Sequence, residues 1–142
     1  MQMPYSPYWM MSLALCFSAC NPMASQHKLT MAAETFNDAV RWQRFDAAVN
    51  FLPTEARGDF LRTFLTDKNA LHLTHVAIQH IQIVPHSSPA AAVVLVLSEG
   101  YTLPSITTCN RVITQQWEYH HGRWEIISGA QDQANLCLKS AP

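Results

Sequence analysis

Between residues 29 and 65 apolar side chains recur at intervals of three and four, and between residues 73 and 127 they recur at every second position. The first period belongs to helices with one buried face, the second to strands. Ala32, Phe36, Ala39 and Val40 form a buried stripe on a helix that starts near Leu29 or Thr30, with Met31, Thr35, Asp38 and Trp42 along another side. Residues 46–52 read as a second, short helix. Pro53 then stands where a third begins, a place where its missing N–H costs nothing. Glu55 suits the positive end of that helix, and Phe60, Leu61, Phe64 and Leu65 form its apolar face. In the second half, Val76 and Ile78 share one parity while Ile81 and Ile83 share the other. That switch near Gln79-His80 implies a β-bulge. Residues 85–89 form a turn, residues 91–103 a second strand, residues 106–119 a third and residues 123–128 a fourth. The near-continuous run from Val93 to Leu97 marks a central strand. Helices first and a four-stranded antiparallel meander afterwards predict an α+β fold: N-terminal helices packed on a curved, cone-like sheet.

The last two strands give the sharpest local expectation. His121-Gly122 sits where a two-residue hairpin loop needs left-handed backbone, which glycine adopts freely. This register sets Tyr119 opposite Trp124 and Trp117 opposite Ile126, all on one face. Glu118 opposes Glu125 on the other face, a like-charge pair that predicts a wet surface. The helices are expected to cover the aromatic face.

Composition narrows the class. Apolar residues make up 49% of the chain and charged residues 13%, as in a packed globular domain. The formal net charge of −1 argues against nucleic acid as an electrostatically bound partner. Residues 8–19 form an uncharged apolar run, too short for a bilayer span and suited to the core of a secretory signal. Phe17-Ser18-Ala19-Cys20 resembles a bacterial lipobox, in which the Cys is lipidated and becomes the mature N-terminus. Phe17 stands where Leu is preferred, and residues 1–19 carry no Lys or Arg. The expected organisation is a signal peptide at 1–19, a lipidated tether at 20–28 and one α+β domain at 29–142. The expected location is the periplasmic face of the envelope, at the outer membrane. Cys16 leaves with the signal and Cys20 takes lipid, so Cys109 and Cys137 remain as an even pair in an oxidising compartment. A bridge between them is reasonable if the tail bends back; two buried thiols are the alternative.

Phe36-Asn37-Asp38-Ala39-Val40-Arg41-Trp42, Phe45-Asp46-Ala47-Ala48, Trp117-Glu118-Tyr119 and Gly122-Arg123-Trp124 together resemble a group of uncharacterised proteobacterial lipoproteins. These are similar in layout to the nuclear transport factor 2-like (SnoaL-like) superfamily and its cone-shaped α+β fold. The resemblance covers most of residues 29–128 and rests on core and turn residues. Some members of that superfamily are isomerases or dehydratases with an Asp/His pair in the cone, a motif that does not map here residue by residue.

Candidate chemistry is correspondingly thin. There are seven histidines. His72 and His75 are an odd number of positions apart, so on a regular strand they point to opposite faces and do not converge on a metal. His120 and His121 fall at a turn tip. An acid/base site inside the cone has Asp38, Asp46, Glu99 and His80 as contributors, with Asp38 and His80 as the named pair. No nucleophile elbow, phosphate loop or nucleotide fingerprint is present, and no cofactor or metal is expected. Trp42, Phe45, Tyr101 and Trp117 are the candidates for an apolar pocket, with helix-on-sheet packing as the alternative. The expected function is that of a non-enzymatic envelope lipoprotein. It would be held to the membrane by lipid and bind a protein partner or a small apolar ligand. A small lyase or isomerase is the rival.

Overall fold

Helix α1 (Pro22–Arg41) runs the length of the domain, and a short helix α2 (Phe45–Ala48) and helix α3 (Arg57–Thr66) follow it. Four strands come next: β1 (Leu71–Val84), β2 (Ala91–Thr102), β3 (Thr107–His120) and β4 (Arg123–Ser128), paired in that order as an antiparallel meander. This computed structural model describes residues 22–66, 71–104 and 106–137. The signal segment and Cys20 lie outside the described residues. The α+β architecture, with helices on one face of a curved sheet, is the one the periodicity predicts. Helix α1 begins earlier than expected, taking in residues 22–28 of the anticipated tether.

The stripe on α1 is Leu29, Ala33, Phe36, Asn37 and Val40, all buried. Ala32, expected within it, is only half-buried at the margin. The helix ends in a Schellman motif: Arg44 N–H bonds the Ala39 carbonyl at 2.8 Å and Gln43 N–H bonds that of Val40 at 3.0 Å. Gln43 takes the left-handed position, φ 57°. Phe36 is the centre of the core, with ring centroids 5.9 Å from Trp117, 6.0 Å from Phe60 and 6.3 Å from Phe51. On α3, Phe60 and Phe64 are buried and Leu65 is exposed, so its apolar face is narrower than the spacing suggests.

Strand β1 explains the curvature of the sheet. Its pairing with β2 slips twice, at Thr74 and at Gln79, each of which has no partner residue opposite. The slips reset the parity, so Leu71, Leu73, Val76, Ile78, Ile81 and Ile83 all oppose residues on the concave face of β2. The bulge at Gln79 was expected from the face switch; the one at Thr74 has the same signature in the three-residue step from Leu73 to Val76. It corrects the reading of the histidines. His72 opposes Tyr101 and His75 opposes Glu99, so both lie on the outer face of the sheet rather than on opposite faces. On β2 the concave-face residues Ala92, Val94, Val96, Ser98 and Gly100 are all buried.

The final hairpin has the expected register, Tyr119 to Trp124 and Trp117 to Ile126, closed by His121 (φ 50°) and Gly122 (φ 83°). Trp117, Trp124 and Ile126 are buried beneath the helices. The other face is not simply wet. Glu125 is only 7% exposed. Each Glu has a partner along its own strand: Arg123 Nε donates to Glu125 at 2.8 Å, and His120 lies within hydrogen-bond distance of Glu118, at 2.7 Å. These intrastrand partners allow two like charges to face each other.

After β4 the chain leaves the sheet at Gly129 (φ 84°), where a side chain would collide with the Thr114 carbonyl. A short 3-10 turn, Asp132–Asn135, carries it back across the concave face. Leu136 packs against Gly100, and Cys137 is bonded to Cys109, their Cα atoms 5.4 Å apart. The tail thus bends back as the bridge requires.

Candidate functional site

Inside the cone stands a set of neutral amides. Asn37 Nδ2 donates to the Ala33 carbonyl at 2.7 Å and to Gln115 Oε1 at 3.2 Å. Gln115 Nε2 donates back to Asn37 Oδ1 at 2.8 Å, and Trp117 Nε1 donates to Gln115 Oε1 at 3.3 Å. Gln133 Nε2, from the returning tail, reaches Asn37 Oδ1 at 2.6 Å and Ser98 Oγ at 3.4 Å. Asn37, Ser98, Gln115 and Gln133 are all buried. A paired amide network satisfies buried polar groups without a net charge, so no ion has to be desolvated. It brings no carboxylate or imidazole to the interior.

The carboxylates and histidines proposed for acid/base work lie elsewhere. Asp38 faces outward from α1, not into the cone; one carboxylate oxygen accepts from Trp42 Nε1 at 3.0 Å and the other pairs with Arg44 at 2.9 Å. His80 opposes Leu95 on the outer face of the sheet and is exposed. Glu99 shares that outer face, and Asp46 is exposed on α2. Among the described residues, no group of three or more His, Cys, Asp or Glu side chains converges as metal ligands would.

The four aromatic candidates occupy different settings. Phe45 is stacked on Phe64 in the core, centroids 4.9 Å apart, and Trp117 is enclosed beneath α1. Tyr101 lies on the outer sheet face, stacked on His72 at 5.2 Å. Trp42 is 62% exposed, yet it is held in place. Its indole N–H is fixed by Asp38, and the Arg41 guanidinium lies 5.1 Å above its ring.

A groove lies between α1 and β1, and Trp42 is not among the residues that line it. Glu34, Asn37, Asp38 and Arg41 of α1 form one wall, and Val76, Ala77 and Ile78 of β1 form the other, enclosing about 390 Å³. Asp38 and Arg41 belong both to this wall and to the Trp42 cradle. The groove is apolar on its strand side and charged on its helix side. β1 is an edge strand. The structure therefore joins two sequence candidates, Trp42 and Asp38, and separates both from His80, Tyr101, Phe45 and Trp117. The amide network was missed: Asn37, Gln115 and Gln133 are polar residues at core positions of their elements, and for Gln115 that signal was visible in the two-residue alternation with Ile113 and Trp117.

Fold and groove together define a class: a curved antiparallel sheet closed by helices, with a filled polar centre and an outer groove along the edge strand. Compared with protein-family models and with characterised proteins, the chain matches none. Among the described residues no helix is long and apolar enough to cross a membrane.

Proposed function

We propose that the protein is a non-enzymatic lipoprotein of the bacterial envelope, anchored through Cys20 and facing the periplasm, whose domain binds a protein partner along the groove between α1 and β1. The observation that carries the partner is Trp42. A single exposed indole is ordinary, but this one has its orientation set in advance by Asp38 and Arg41, which also line the groove. Tryptophan and arginine are the side chains most often found as interface anchors. The packed interior favours a protein partner over a small apolar ligand, because Trp117, Phe36 and the amide network occupy the space such a ligand would need. The Phe17-Ser18-Ala19-Cys20 sequence supports the anchor, and the layout shared with nuclear transport factor 2-like lipoproteins supports the family.

Two measurements test the two halves. Cys20→Ser is expected to move the protein out of the membrane fraction and abolish acyl labelling; unchanged labelling refutes the anchor. A photo-crosslinking side chain placed at Glu34 in growing cells is expected to give a discrete adduct. Trp42→Ala should reduce that adduct at least about tenfold, the scale of an anchor worth more than 1.4 kcal/mol, with no change in melting temperature. An adduct indifferent to Trp42 refutes the groove.

A further inference from the structure

Residues 129–137 are attached to the domain in an unusual way. They add no strand to the sheet; their own backbone bonds are those of one short turn. Small apolar side chains, Ala130 and Leu136, are buried along them, and two stronger features hold them down: Gln133, whose side-chain amide enters the cone, and the Cys109–Cys137 bridge at the far end. Gln133 fits its site incompletely. Its nitrogen serves Asn37 and Ser98, but its carbonyl oxygen is fully enclosed and accepts from no donor among the described residues. The rest of the network does not depend on it, since Asn37 and Gln115 bond each other twice and Gln115 also accepts from Trp117. Lifting the tail would leave a small chamber in which Asn37 Oδ1 and Ser98 Oγ face the space now filled by one carboxamide.

We propose that the tail is a removable plug, and that the chamber beneath Gln133 is a binding site for a primary carboxamide, uncovered when the Cys109–Cys137 bridge is reduced. The chemistry of recognition is on view in the plug itself. A primary amide supplies two N–H donors for Asn37 Oδ1 and Ser98 Oγ. A charged ligand would enter a site with no counter-charge among Asn37, Ser98, Gln115 and Trp117, so the class is neutral. Opening is thiol–disulfide exchange with a dithiol. One thiolate attacks a bridge sulfur and displaces the other cysteine as thiolate, the second thiol of the reagent resolves the mixed disulfide, and two cysteine thiols and one oxidised dithiol result. The proposal does not rest on the partner groove.

The test uses acetamide, the smallest molecule with the headgroup of Gln133, and follows the side-chain amide resonances of Asn37 and Gln115. In the oxidised wild-type domain acetamide is expected to cause no saturable shift. Two states should bind it saturably at millimolar concentration: the wild type reduced with dithiothreitol, and Gln133→Ala with the bridge intact. Gln133→Leu, which fills the chamber with an apolar side chain, should not. Reduction should also raise hydrogen exchange over residues 129–137 by at least roughly tenfold while the amides of β2 and β3 keep their protection. Absence of a saturable shift in the reduced wild type overturns the proposal, as does a tail whose exchange is unchanged by reduction or a sheet that loses protection with it. If Gln133→Ala does not fold, the reduced wild type decides alone.

Discussion

Gln43 closes helix α1 in left-handed backbone, a position where most helices place glycine because a side chain there crowds the following carbonyl. Its side chain is exposed, so nothing is lost by removing it. Gln43→Gly is therefore expected to stabilise the fold by about 1 kcal/mol, read as a shift in the denaturant midpoint with unchanged slope. Glu125 behaves in the opposite way. From the pattern it belongs to a solvent face, which would make Glu125→Lys harmless. Buried beside Arg123, the substitution puts two cations together and is expected to cost at least about 2 kcal/mol, with Trp124→Ala at about 3–5 kcal/mol for its lost packing. Facing was legible in the sequence at these residues, but burial was not. The alternation says which side of a strand a residue takes; what lies over that side is decided elsewhere in the chain. The same limit applies to Trp42, which was placed on the first helix but stands just past its end at Arg41, with its indole exposed to water.

At the scale of elements, the local signals were the dependable ones. The His121-Gly122 turn, the register it imposes and the bulge at Gln79 all follow from two or three residues whose backbone demands are strong. Gly122→Val should destabilise the hairpin although no neighbouring atom lies near enough to clash, because a β-branched residue resists positive φ. The amide network and the tail were not legible to that depth. Asn37 meets Gln115 across 78 positions and Gln133 across 96, and no local pattern encodes such a meeting. The bridge could be named as a possibility because only two cysteines remained once Cys16 and Cys20 were assigned. It spans 28 positions, which for a cross-linked loop of that length corresponds to about 3–4 kcal/mol. Cys109→Ala is expected to lower stability by that amount, and thiol titration of the unreduced, denatured protein should find neither Cys109 nor Cys137 reactive.

For the molecule as a whole, the order of its parts along the chain matters as much as their arrangement. The three described α-helices precede the whole sheet, and the apolar face of α1 is buried partly against Phe51 and Phe60, close behind it in the chain, and partly against Trp117 of β3, far from it. As the chain emerges from a ribosome, Phe36 can meet Phe51 and Phe60 early, but the sheet side of the core is absent until β1 and β2 follow, and Trp117 and Ile126 complete it later still. A fragment ending at Val84 would hold the three described α-helices and four of the six buried core aromatics, yet without Trp117 and Trp124 it should show neither cooperative unfolding nor dispersed amide resonances. The half made first lacks Trp117, Trp124 and Ile126, so its core stays open on the sheet side until the last hairpin has been made.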